Sequence, residues 1–287
     1  MMPIPRGSRP VAVFDSGIGG LPYLAAARAA LPAESFIYLA DRAGFPYGTK
    51  PREEVRDLVL RLISSLVGEY SPKAVVIACN TASQAALEAA RRAHPGLPII
   101  GTVPAVKPAA ERSRSGVIGI MASAGAVEDP YLDSLVARHA RGLTVIREGA
   151  QALVAFVERR SAVAGADERR EAVAPYVRRL VDGGADELVL ACTHFLHLRD
   201  DIAAVAGRGV EVVDSLTGVV ARLRQVLSER GLLSSYVPVA RERDLLSSDV
   251  PAAGDLFLLT GAPPFETGYS ILAETFGLEA PEPLTLR

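Results

Sequence analysis

Short β-rich runs alternate with Ala/Leu/Arg-rich helical stretches along this chain, and that alternation limits the fold more than any other feature. The strand candidates are VAVF (11–14), FIYL (36–39), AVVIA (74–78), LPIIG (97–101), GVIGI (116–120), LTVIR (143–147), ELVLA (187–191), VEVV (210–213) and LFLL (256–259). Helical patterns fill most of the gaps, among them REEVRDLVLRLISSLV and DERREAVAPYVRRLVDGG, whose paired glycines form a stop signal. Strands separated by helices pair in parallel and are covered on both faces, so the predicted class is α/β. Over 287 residues, two smaller sheets suit these strands better than one.

A short internal echo supports two halves. VVIACNTAS (75–83) resembles LVLACTHFL (188–196), and VFDSG (13–17) resembles VVDSL (212–216). The only two cysteines of the chain, Cys79 and Cys192, occupy the same place in the first pair.

Composition excludes several classes. A net charge of −2 lacks the basic excess of a nucleic-acid binder. No apolar run reaches the roughly 18 residues of a membrane helix, and MMPIPRGSRP has no signal-peptide core. The expectation is a cytoplasmic protein with reduced thiols. Two cysteines make no disulfide framework, and no histidine stands at ligand spacing from either, so no metal site is expected.

Ligands of an open α/β sheet bind beyond the carboxyl ends of its strands. Asp15, Cys79, Cys192 and Asp214 all fall at such ends. The helix after Cys79 points its free N–H groups back at the thiol, which favours thiolate. Asp15-Ser16-Gly17-Ile18-Gly19-Gly20 is a glycine-rich turn suited to an anion. It fails as a dinucleotide loop with Asp41 as ribose acid, because Pro22 stands where a glycine is required; Pro22 suits the first turn of a helix. Phe45-Pro46-Tyr47-Gly48 reads equally as a plain turn or a ligand-contacting loop. His194 is placed either to exchange protons with Cys192 or to serve the structure. His197 falls on the following helix without a role, and Glu158 reads as part of a solvated helix face.

Five strings together, VFDSGIGGL, GFPYGTK, ACNTAS, GTVPAVKPAA and ACTHF, resemble the glutamate racemases of the aspartate/glutamate racemase superfamily. They run in family order from residue 11 to about 215, and the C-terminal portion matches loosely. The resemblance implies a cofactor-independent isomerase that interconverts L- and D-glutamate, supplying D-glutamate for peptidoglycan. It implies that Cys79 takes the α-proton from the D-enantiomer and Cys192 from the L-enantiomer. Asp15 is then the acid beside the first cysteine, His194 the partner of the second, and Glu158 the carboxylate holding that histidine. Ser16, Pro46, Tyr47, Gly48, Asn80, Thr81, Ser123 and Thr193 match substrate-binding positions. The site lies between a first domain of 1–100 plus 211–287 and a second of 101–210. The family commonly forms homodimers.

The chain also departs from the family. Ala126 replaces a hydroxyl-bearing residue, Leu196-His197 replaces Pro-Leu, and the second DSG is Asp214-Ser215-Leu216. A hydroxyl lost from a substrate carboxylate costs about 1–3 kcal/mol. That leaves as rivals a racemase for another acid such as aspartate, and a binding protein on an idle racemase scaffold. A thiol redox protein is disfavoured by the absence of C-x-x-C.

Overall fold

The computed structural model describes residues 9–235 and 255–284. Among the described residues ten strands are formed: β1 (Val11–Asp15), β2 (Phe36–Ala40), β3 (Ala74–Ile77), β4 (Ile99–Gly101), β5 (Val117–Ala122), β6 (Thr144–Gly149), β7 (Glu187–Leu190), β8 (Glu211–Val213), β9 (Leu256–Thr260) and β10 (Glu282–Leu284). Eleven α-helices intervene: α1 (Leu21–Ala30), α2 (Arg52–Tyr70), α3 (Asn80–Ala93), α4 (Val106–Arg112), α5 (Ala124–Val127), α6 (Pro130–His139), α7 (Gln151–Arg160), α8 (Ala166–Asp182), α9 (Arg199–Ala206), α10 (Leu216–Glu229) and α11 (Thr267–Thr275). Tyr47–Thr49 and Thr193–Leu198 form 3-10 turns.

The strands make two all-parallel sheets. One has the order β10-β9-β2-β1-β3-β4, the other β6-β5-β7-β8. β1, β2 and β3 are buried at every position, because helices cover both faces and an alternating strand would bury polar groups there. One apolar cluster, with Val59, Leu62, Ile63 and Leu66 of α2, lies on one face of the first sheet. Another, with Ile118, Ile120 and Leu132, covers one face of the second. A third is shared by the two units, joining Ile18 and Leu21 to Leu153, Val157 and Phe195.

Strand membership differs from the expected boundaries at one place. Glu211–Val213, assigned by sequence to the first unit, pairs with Glu187–Leu190 in the second sheet. Its valines are buried there, and the chain crosses back at Ser215, whose Oγ lies 2.8 Å from Tyr23 Oη. α10 then packs on α1 and β4 of the first unit. The tenth strand, Glu282–Leu284, went unpredicted: it is three residues long and contains Pro283, tolerated because the strand is at the sheet edge.

Both sheets reverse strand order at a point that matters for chemistry. In the first, β1 is flanked by β2 on one side and β3 on the other; in the second, β5 is flanked by β6 and β7. The chain leaves such neighbouring strands in opposite directions, which opens a crevice beyond their carboxyl ends. Asp15 ends β1 and Cys79 follows β3; Ser123 follows β5 and Cys192 follows β7.

Candidate active site

Cys79 caps the N-terminus of α3, and its Sγ accepts from Ala82 N at 3.5 Å. It also approaches Ser16 Oγ at 3.7 Å, and Ser16 Oγ lies 3.3 Å from Asp15 Oδ1. Asp15 is wholly buried and accepts from Ser16 N at 2.6 Å. Burial raises its carboxyl to a pKa of about 6, only partly countered by the charge of His194 and the Ser16 amide.

At Cys79 burial outweighs the pull of the helix terminus toward thiolate. Burial pushes the thiol well above its ordinary range, and the charge of Asp15 pushes it further. The hydrogen bond from Ala82 N opposes them and loses. A side chain only 5% exposed has little water to stabilise its charged form. Cys79 therefore rests as a thiol. Cys192 contributes to the same upward push, so each thiol lies within electrostatic reach of the other.

The second thiol, Cys192, is 8% exposed and lies 4.0 Å from His194 Nδ1. The other ring nitrogen, Nε2, is 3.0 Å from Glu158 Oε2. Because a carboxylate only accepts, Nε2 carries hydrogen, and Nδ1 is the nitrogen that faces the thiol. Burial alone would lower His194, but its bonds to Cys192 and Glu158 and the charges of Cys192 and Asp15 hold it well above its ordinary range.

Glu158 is not on a solvated face. Its side chain is 6% exposed, and besides His194 it accepts from Ile18 N at 3.1 Å and from Tyr269 Oη at 2.6 Å. Gly17 and Gly19 are needed for this approach: a Cβ at Gly17 would stand 2.4 Å from Glu158 Oε2, and one at Gly19 2.4 Å from His194 Nδ1. Thr193 Oγ1 donates to Asp15 Oδ2 at 3.2 Å, so the two strand-end turns meet.

Around these groups, Thr81 Oγ1 and Ser123 Oγ pair across the two units at 3.1 Å. Asn80 is buried with its Oδ1 unpartnered among the described residues, a polar atom left for a ligand. Pro46 follows a cis peptide bond and sets the turn that holds Gly48 against Ser123 and Gln151. Tyr47 Oη is already committed, donating to Asp41 Oδ2 at 2.6 Å. Asp41 also accepts from Thr260 Oγ1 and Gly44 N, so it fastens this loop to β9. Asp214 pairs with Arg199 at 3.2 Å and caps α10, so it serves the turn there. His197, within the 3-10 turn rather than on a helix, meets Ile18 O at 3.0 Å. Ala126 packs into the second unit's apolar cluster.

Sequence reasoning missed Tyr269 and Gln151. Neither belongs to a motif; Tyr269 lies in the loosely matching C-terminal part, and Gln151 opens α7, where its Oε1 accepts from Ala124 N. Among the described residues no cluster of three or more potential metal ligands occurs, and no helix is long and apolar enough to cross a membrane.

The family model for Asp/Glu/Hydantoin racemases matches residues 23–223, which include both thiols. Glutamate racemase of Sphingopyxis alaskensis is 44% identical over 238 residues, 82% of this chain and 88% of that protein. That of Deinococcus radiodurans is 42% identical over 233 residues, 80% and 79%. Among solved structures, Escherichia coli glutamate racemase, in complex with L-glutamate and the activator UDP-MurNAc-ala, superposes with a TM-score of 0.79 at 29% identity, covering 97% of this chain and 99% of that one.

Proposed function

This chain belongs to the Asp/Glu/Hydantoin racemase family, and from that premise we propose that it interconverts L- and D-glutamate by passing the α-proton between Cys79 and Cys192. The observation that carries the reading is the pair of thiols at the switch points of two facing sheets, each with its own proton partner.

In the direction from L to D, His194 takes the Cys192 proton and the thiolate removes the α-proton. The Cys79 thiol then delivers its proton to the opposite face. In reverse, Asp15 accepts the Cys79 proton through Ser16 Oγ, and Cys192 is the donor. No net proton is consumed, and the two half-sites exchange protonation states on each turnover.

The α-carbanion puts negative charge on the substrate carboxylate, which needs fixed donors where it develops. The Asn80 amide, the Thr81–Ser123 hydroxyl pair and the N-terminus of α3 are the donors assigned to that charge. Positioned acid–base groups supply roughly 10²–10⁴-fold each, so this polar lining carries much of the remainder.

Glutamate as substrate is supported by the named activity of relatives above 40% identity. The aspartate and idle-scaffold rivals lean on the change at Ala126, and its place in a packed apolar cluster gives them no exposed gap. The cytoplasmic location, the supply of D-glutamate to peptidoglycan and assembly as a homodimer belong to the same reading. Optical rotation of L-glutamate and L-aspartate solutions with purified protein tests it: decay toward zero is expected for glutamate alone. Decay for aspartate alone, or for neither, overturns it.

A further inference from the structure

Tyr269 lies outside the residues matched by the family model, yet it touches the catalytic network. Its ring is buried on α11, and its hydroxyl donates to Glu158 Oε1 at 2.6 Å. The other oxygen, Oε2, meets His194 Nε2 and Ile18 N. Glu158 belongs to α7 of the second unit, whereas Tyr269 and Ile18 belong to the first. The carboxylate is thus gripped from the first unit while it holds the histidine of the second. The His194 ring also lies 5.7 Å from the Phe45 ring, centroid to centroid. His197 packs edge-on against Phe276, the residue after α11.

We propose that Tyr269 is a positioning residue for the Cys192 half of the reaction: it fixes Glu158, and Glu158 fixes the His194 ring that exchanges a proton with Cys192. The proposal rests on the racemase reading for its kinetic consequence alone.

A phenol hydroxyl on one carboxylate oxygen takes up part of that group's charge. Without it, Oε1 is buried without a donor, and the full charge of Glu158 bears on His194. The titratable groups facing His194 are Asp15 at the end of β1, Cys192 and His197 on its own turn, and Glu158 of α7. Glu266 and Arg42 pair with each other near Tyr269. Of the groups that face His194, Glu158 is the one hydrogen-bonded to Tyr269. Removing the hydroxyl therefore moves the His194 titration upward, because its neighbouring carboxylate becomes the stronger acceptor.

The experiment is a histidine-ring NMR titration of the full chain and of Tyr269→Phe, tractable because the sequence holds four histidines. The His194 midpoint is expected to rise by about one unit. In turnover, kcat/KM falls roughly tenfold. The α-deuterium isotope effect on kcat/KM grows for L-glutamate and not for D-glutamate, since Cys192 serves the L side. A folded variant whose His194 titration and isotope effects are unchanged overturns the proposal, even if its rate falls; Tyr269 is then a packing residue. A shifted His194 with no racemisation in either protein upholds the positioning and sinks the functional reading instead. Should Tyr269→Phe not fold, 3-fluorotyrosine incorporated at all eight tyrosines makes a stronger donor. It is expected to lower the His194 midpoint, and an unmoved midpoint overturns the proposal.

Discussion

Thr193 donates its hydroxyl to Asp15 at 3.2 Å, and that bond ties the turn after β7 to the end of β1. It joins two half-sites of opposite character. On one side a buried carboxyl stands near a thiol pushed upward; on the other a buried histidine is held upward beside the second thiol. The chemistry proposed needs one group to give a proton as the other takes one, and this contact brings both within a single polar network.

Asp15 should make the folded protein less stable as pH rises from about 4 to about 6. Its folded pKa of about 6 lies above the ordinary 3.8. The unfolded chain therefore releases the proton first, and the folded state loses ground until its own carboxyl ionises. Asp15→Asn mimics the neutral carboxyl, so it should gain roughly 3 kcal/mol over the parent at pH 8 and almost nothing at pH 4. Urea unfolding at the two pH values measures this; equal gains at both would refute the buried-carboxyl cost.

In the proposed mechanism the same group should set the acid limb of catalysis. Cys79 rests as a thiol, and Asp15 can accept its proton only when ionised. Racemisation should therefore fall as pH drops below about 6. In Asp15→Asn that limb should vanish and kcat/KM should drop by about 10²–10⁴. An Asp15→Asn enzyme that keeps the limb would assign it to another group.

Gly19→Ala should cost activity far more than stability. The added Cβ would lie 2.4 Å from His194 Nδ1, 2.7 Å from Thr193 Oγ1 and 2.8 Å from Asp15 Oδ2, so the network must shift. A displacement near 1 Å costs on the order of 10²-fold in rate. Gly218→Ala, in α10 with nothing within 4 Å of its Cβ, is the control and should leave the rate unchanged. Steady-state rates and circular dichroism of both variants decide the matter.

At the amino ends of the central strands of the first sheet, Lys73 just before β3 and Glu34 just before β2 form a buried ion pair, with side chains 5% and 2% exposed. Lys73 also donates to Leu232 O and Ser234 Oγ, and Glu34 accepts from Ser234 N, so the pair anchors the chain after α10. Lys73→Met leaves Glu34 buried and unpaired, which should destabilise by about 3–5 kcal/mol. Lys73→Met with Glu34→Leu should recover most of it. Denaturation midpoints test this, and kcat at 25 °C should not change.

Much of this was legible in the sequence because parallel strands and their end-turns leave local marks. The nine strand candidates all formed, and the Ala-Cys turns came to equivalent places in the two sheets. What was not legible is tertiary. Glu158 has the pattern of an exposed helix residue and is buried only because the Gly17–Ile18 turn and α11 close over it. The thiolate expected at Cys79 weighed the helix terminus without the burial that outweighs it. The strand Glu211–Val213 pairs in the second sheet although the resemblance puts 211–287 in the first domain, because a family boundary does not say which sheet its valines cover.

The most direct test of two opposed thiols is racemisation in D₂O, stopped at low conversion, with the α-position of each enantiomer read separately by mass spectrometry. The account predicts solvent deuterium in the product enantiomer and protium in the remaining substrate, from either starting side, with both Cys79→Ser and Cys192→Ser unable to racemise. Substrate recovered as deuterated as product would mean one base serving both faces, and would contradict it.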